Sequence, residues 1–167
     1  MNDATLDRLV SLAAEVLARL EELGVTLATA ESITGGLIGH VLTETPGSSR
    51  VYLGGVVSYG NRLKERIGVP TQTLAEFGAV SEQTALAMAN GIREWAGTDV
   101  GVAVTGIAGP GGATETKPVG LTYIAVADLS GTVCERHEWT ADRSANKVST
   151  AEAALQLVLT RLGEKQA

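Results

Sequence analysis

Val25-Thr26-Leu27-Ala28-Thr29-Ala30 runs directly into Glu31-Ser32-Ile33-Thr34-Gly35-Gly36. The first six residues read as a short buried strand. The next six change to polar residues and glycine, and an apolar helical pattern follows from near Thr34 to just before Pro46. A strand that turns straight into a helix is half of a βαβ unit, so this stretch points to an α/β fold. Before it, Leu6, Leu9, Val10, Ala13, Val16, Leu17 and Leu20 recur at helical spacing, with Gly24 as the stop.

The same alternation continues outward. After a turn at Pro46-Gly47-Ser48-Ser49, residues 51–59 have strand composition, and Gly54-Gly55 marks a bulge. A short helix is predicted over 61–67. A longer one over 81–95 has Ser81 as its cap, Glu82 in its first turn, and Ala85, Met88, Ala89 and Ile92 facing inward. Residues 100–104 are continuously apolar, as a central strand requires. Residues 106–112 form a glycine-rich loop. Two strands over 119–127 and 132–140 flank Ser130-Gly131 as a hairpin, and a final helix covers 144–162. The pattern predicts one domain over residues 1–167. Its fold is a three-layer α/β/α sandwich around a mostly parallel sheet with one antiparallel pairing.

Composition narrows the function. The chain has 167 residues, 13 Lys and Arg, 19 Asp and Glu, and a net charge of −6. An acidic surface disfavours general binding to nucleic acid, which depends on neutralising phosphates. No apolar run is long enough to span a bilayer, and Met1-Asn2-Asp3 does not open a signal peptide. The single Cys134 excludes an internal disulfide framework, so a cytoplasmic location is expected. With one Phe, three Tyr and two Trp, the core must be aliphatic. His40 and His137 form no metal-ligand spacing with Cys134, so neither a metal nor another cofactor is expected.

Ligands of open α/β sheets bind beyond the carboxyl ends of the strands. Three segments should meet there. In Glu31-Ser32-Ile33-Thr34-Gly35-Gly36, Ser32 stands at a helix opening, where amides and the helix dipole suit a phosphate or the oxyanion beside a nucleophilic serine. The plainer reading is that Ser32 or Thr34 caps the helix. In Ser58-Tyr59-Gly60-Asn61, Lys64 lies one turn into the next helix and can point back to the strand end. It acts as a base only if its pKa is depressed; otherwise it is a solvated lysine beside Arg62 and Arg66. The third segment, Thr105-Gly106-Ile107-Ala108-Gly109-Pro110-Gly111-Gly112, fits neither a Walker motif nor a dinucleotide fingerprint. Four glycines after a buried strand let a backbone approach a ligand, although a flexible surface loop is the alternative. Ser144-Ala145-Asn146-Lys147 matches Ser-x-x-Lys without the companion elements of penicillin-binding enzymes, and Cys134 reads as packing.

Taken in order, these segments resemble a known family. They are Ala30-Glu31-Ser32-Ile33-Thr34-Gly35-Gly36, Pro46-Gly47-Ser48-Ser49, Gly54-Gly55-Val56-Val57-Ser58-Tyr59-Gly60-Asn61 with Lys64, Gly78-Ala79-Val80-Ser81, and residues 103–112 with Lys117-Pro118-Val119-Gly120. The resemblance is to the C-terminal domain of the competence-damage-inducible protein CinA, whose standalone members are nicotinamide-nucleotide amidases. It implies a five-stranded mixed sheet and deamidation of nicotinamide mononucleotide to nicotinate mononucleotide and ammonia. Ser32 matches the nucleophile, Lys64 its base, and Tyr59 and Thr105 nearby active-site positions.

Thr34, Gly35, Gly36, Asn61, Gly106, Gly109, Gly111, Arg143 and Lys147 are the expected substrate contacts. Ile33 stands where many members have Cys, Ala141 where they have Gly, and Lys147 where Arg is common, which weakens a bidentate phosphate contact. Larger members carry a further N-terminal domain, which this chain is expected to lack. A homo-oligomer, in first place a dimer, is implied. The alternatives are a nucleotide-binding or competence-related interaction module that does not turn over, and an amidase for a related pyridine nucleotide.

Overall fold

Leu20, Glu21 and Gly24 end the first helix in a way the sequence dictates. Gly24 takes φ +64, its N–H reaches Glu21 O at 3.1 Å, and Val25 N–H reaches Leu20 O at 3.0 Å. This paired closure needs a left-handed residue, which glycine supplies without strain. The chain then enters the sheet. The computed structural model describes residues 3–163; Met1 and Asn2, read above for a leader, lie outside them. Elements follow in the order α1 (Asp3–Leu23), β1 (Leu27–Glu31), α2 (Leu37–Thr43), β2 (Tyr52–Val57), α3 (Asn61–Arg66), α4 (Thr71–Phe77), α5 (Glu82–Ala96), β3 (Val100–Gly106), β4 (Leu121–Asp128), β5 (Gly131–Glu138) and α6 (Arg143–Gly163).

The five strands are ordered β2-β1-β3-β4-β5. β1 pairs in parallel with β2 and β3, while β4 pairs antiparallel with both β3 and β5. Four strands therefore run one way and only β4 is reversed. That reversal makes two antiparallel pairings where the sequence reading expected one. The chain leaves β1 to one side for β2 and returns to the other for β3, so the topology switches between β1 and β3. Sheets of this kind place their ligand site at that switch.

Strand alternation sorts side chains by size. Leu27, Val100, Val102, Val104, Ile124 and Val126 pack with Leu9, Val16, Leu20, Ile38, Leu42, Leu155 and Val158 from α1, α2 and α6. The opposite face carries Ala28, Ala30, Ala103, Ala125 and Ala127 against Ala85, Met88, Ala89 and Ile92 of α5. Small residues let α5 lie close: a Cβ at Gly101 would stand 2.2 Å from Ala89 O. Close approach of one helix replaces the bulk that aromatic side chains would otherwise provide. Among the described residues no helix is long and apolar enough to cross a membrane.

Four details differ from the sequence reading. α2 begins at Leu37, not near Thr34, because Gly35 and Gly36 hold φ of +65 and +99 and delay the helix. The hairpin turns on Leu129-Ser130, since Asp128 pairs with Gly131. A 3-10 turn over Ser48–Arg50 occupies part of the predicted turn, and α4 was not foreseen. α4 buries only Leu74, so it shows no apolar stripe. The glycine bulge is present, with Leu27 opposite Tyr52, Ala28 opposite Gly54, and Leu53 as the extra residue.

Candidate active site

Ser32 follows β1 immediately and is held to β3 by its own N–H, 2.9 Å from Val104 O. Its hydroxyl is not a helix cap. The anchor is the preceding residue, Glu31, which is 2% exposed. Its carboxylate accepts from Thr34 Oγ1 at 2.6 Å, from the N–H groups of Gly36 and Ile38 at 3.0 Å, and from that of Gly39 at 2.8 Å. A carboxylate inside the chain thus takes three of the amides at the amino end of α2. The anion site that the sequence suggested at this helix end is filled by the protein itself. The Ser32 hydroxyl is left free for other work, 8% exposed on a turn whose shape Glu31 fixes.

Lys64 meets it from α3, the helix after the neighbouring strand β2. α3 starts at Asn61 after Gly60, which places Lys64 on the inward face, 1% exposed. Its Nζ is 3.1 Å from Ser32 Oγ, 2.6 Å from Ser58 O and 3.2 Å from Tyr59 O. Among the described residues no carboxylate pairs with the amine, and burial lowers its pKa to about 8. A neutral amine has two N–H donors and one lone pair. As an ammonium, Lys64 donates to Ser58 O, Tyr59 O and Ser32 Oγ; when it loses a proton, the two carbonyls can keep its N–H groups while its lone pair accepts the Ser32 O–H.

A cavity of about 180 Å³ opens on this pair. Ser32, Lys64, Ile33, Thr105, Gly106 and Ala108 line it from the sheet side, Ala79 and Val80 from the segment before α5, and Tyr59 and Arg143 from its mouth. Arg143 is set there by Asp142, whose Oδ1 accepts from Ala145 N–H at 2.9 Å and so caps α6. The guanidinium donates to Gly109 O at 2.9 Å and to the Tyr59 hydroxyl at 3.3 Å. Tyr59 is 61% exposed, so its phenol serves Arg143 while its carbonyl serves Lys64. The Tyr59 hydroxyl thus meets Arg143, and only the Tyr59 carbonyl meets the dyad. Thr105 is fully buried and donates its hydroxyl proton to Ala79 O at 2.6 Å.

The remaining expected contacts spread outward. Thr34 Oγ1 and Gly36 N–H are committed to Glu31, and Gly35 N–H to Ser32 O at 3.2 Å. Gly106 lines the cavity and admits no side chain, since a Cβ would lie 2.7 Å from the backbone oxygen of Leu121. Gly109 contributes its carbonyl to Arg143. Asn61 and Gly111 are exposed and stand outside the cavity wall. Lys147 lines a neighbouring hollow with Leu37, Ser144 and Val148. Burial pushes the Cys134 thiol up to about 12, consistent with a packing residue. Among the described residues no group of three or more His, Cys, Asp or Glu could hold a metal ion.

Sequence reasoning passed over Glu31, Ala79, Val80 and Ala108. An acid beside two glycines at a helix start was a readable signal for Glu31. The other three carry no chemical group, so only the fold reveals them.

Comparison with known proteins places these residues in a family. The family model of the CinA C-terminal domain matches residues 9–162. A CinA-like protein of Salinibacter ruber is 49% identical over 148 residues, covering 88% of this chain and 36% of its own length. One from Geobacter sulfurreducens is 49% identical over 148 residues, covering 87% and 36%. The chain therefore spans about a third of the curated relatives it matches. Among solved structures, the competence/damage inducible protein CihA of Agrobacterium tumefaciens superposes with a TM-score of 0.88 at 42% identity, over 93% of this chain and 95% of that one. A CinA superfamily protein of Enterobacter cloacae gives 0.88 at 34% identity, over 92% of each chain.

Proposed function

The chain belongs to the CinA C-terminal domain family, and from that premise we propose that it is a serine–lysine amidase that converts nicotinamide mononucleotide to nicotinate mononucleotide and ammonia. The observation that carries this reading is the 3.1 Å contact between the Lys64 amine and the Ser32 hydroxyl, with two carbonyls holding the amine. A surface lysine near a serine would mean little. A buried one with no acidic partner among the described residues is poised to be a base.

In the proposed reaction Ser32 Oγ attacks the carboxamide carbon and its proton passes to Lys64 Nζ. The C–N bond then breaks as Lys64 returns that proton to the departing nitrogen, which leaves as ammonia. Water, deprotonated by the same amine, hydrolyses the ester and restores Ser32. With a pKa of about 8, roughly a tenth of Lys64 is neutral at pH 7. The pyridinium ring is a fixed cation next to the reacting carbon. It disfavours the ammonium and increases the neutral fraction once substrate is bound.

Size supports a split binding mode. A cavity of about 180 Å³ suits the planar ring and its carboxamide, whereas whole drug-sized ligands need roughly 300 Å³ or more. Ribose and phosphate then lie across the mouth, where Arg143 is exposed and charged. Its guanidinium is the phosphate partner in this reading. Arg143→Ala is expected to raise KM for nicotinamide mononucleotide about 30-fold, most of the effect lying in KM, as fits loss of a charge-assisted contact. Steady-state ammonia release at varied substrate measures it; an unchanged KM would move the phosphate elsewhere. The reading as a whole is tested by ammonia release from nicotinamide mononucleotide. Tight binding of that nucleotide without release would instead favour an interaction module.

A further inference from the structure

Three successive carbonyls in the segment before α5 are each held by a side chain from elsewhere. Phe77 O accepts from Lys117 Nζ at 2.6 Å. Gly78 O accepts from Thr84 Oγ1 at 2.7 Å and Ser81 Oγ at 3.1 Å. Ala79 O accepts from Thr105 Oγ1 at 2.6 Å. The residues this clamp fixes, Ala79 and Val80, line the cavity. Ile33 and Gly106 line it as well; Gly106 follows Thr105 on β3 and so faces the other side of the sheet, and it has no room for a Cβ. The cavity is a slot whose width depends on where residues 79 and 80 stand.

We propose that Thr105 is a positioning residue for substrate fit: through Ala79 it sets the width of the slot that receives a flat aromatic ring. A hydroxyl has one proton, and that of Thr105 is given to Ala79 O, away from Ser32 and Lys64. The residue is fully buried at the end of β3, where the sheet fixes its backbone against Tyr123 of β4. It therefore transfers the rigidity of the sheet to an irregular segment that has no strand partner of its own. Thr84 and Ser81 hold the segment to the start of α5, and Lys117 holds it to the chain between β3 and β4; Thr105 alone among these lines the cavity. The identity of the ring rests on the amidase reading, whereas the clamp does not.

Two variants and two readouts test this. Thr105→Val keeps the shape and removes the donor; Thr105→Ser keeps the donor. Amide hydrogen exchange over residues 78–81 should quicken about tenfold in Thr105→Val, with the remaining core protected as in the wild type, and Thr105→Ser should restore it. In ammonia release, Thr105→Val should raise KM about tenfold and lower kcat less than about threefold. Lys117→Met, a change at the loop surface, should quicken exchange at the same residues to a smaller extent. Unchanged exchange at 78–81, or acceleration spread evenly through the core, overturns the proposal. So does a loss of kcat at constant KM, which would assign Thr105 to the chemistry instead. A wild-type protein that releases no ammonia overturns the amidase reading; the exchange result still decides whether Thr105 holds the wall.

Discussion

On the proposed amidase reading, replacing Ser32 with Ala is expected to lower ammonia release from nicotinamide mononucleotide by at least about 10⁴-fold, the scale seen when a covalent nucleophile is removed from a serine hydrolase. The fold should survive. Ser32 Oγ does not cap α2, and the turn around it is fixed by Glu31, whose four hydrogen bonds do not involve the Ser32 side chain. Thermal unfolding of the variant should therefore stay within a few degrees of the wild type, and nucleotide binding by calorimetry should persist. Turnover in Ser32→Ala close to wild type would remove the nucleophile from the scheme. Loss of turnover together with unfolding would contradict the structural account of the turn.

Lys64→Met carries the second large effect. General-base catalysis is worth between about 10² and 10⁴-fold, and that range is the expected loss. Lys64→Arg should fare no better, because a guanidinium does not deprotonate at accessible pH and has no lone pair to offer. The same lysine leaves a signature in stability. Unfolded, its pKa is 10.5; folded, burial holds it at about 8. Below about pH 8 it is charged in both states and the full cost of burying charge is present. Between about 8 and 10.5 the unfolded chain binds a proton that the folded one has lost, so stability rises with pH. Above 10.5 it is neutral in both and the cost is gone.

The difference amounts to about 3 kcal/mol. Denaturant unfolding of the wild type, referred to Lys64→Met at each pH, should show the wild type gaining on the variant across that window. A constant gap from pH 7.5 to 10.5 would mean that Lys64 is not desolvated.

How these two residues meet could be read from the chain to a useful depth. Strand-to-helix alternation in the sequence places Ser32 and Thr105 at strand ends and Lys64 one turn into the helix after another, because parallel strands joined by helices must deliver those ends to one edge. Ser81 was legible as a cap, and its Oγ accepts from Thr84 N–H at 3.2 Å. Three features were not legible, each for a different physical reason.

The start of α2 was misplaced because Ser32 and Thr34 are good caps by composition, whereas the capping role fell to Glu31 from within a strand. A strand residue reaches a helix amino end only when two left-handed glycines fold the chain back over it. β4 and β5 were assigned correctly as a hairpin. Their attachment beside β3, which doubles the antiparallel pairings, depends on long-range register that local pattern does not encode. Ala79 and Val80 were invisible as site residues because they act by shape alone. Lys64 was legible in part: Arg62 and Arg66 beside it suggested a solvated face, and its bonds to Ser58 O, Tyr59 O and Ser32 Oγ show it turned inward.

The pH dependence of kcat/KM for ammonia release tests the pairing of Ser32 with an uncharged Lys64 most directly, since that ratio reports ionisations of the free enzyme. The account predicts a tenfold rise per pH unit on the acid side, bending to a plateau at about pH 8. The corresponding limb in kcat should lie at lower pH, because the bound pyridinium cation further disfavours the ammonium. A profile flat from pH 6 to 9, with full activity where Lys64 is protonated, would contradict it.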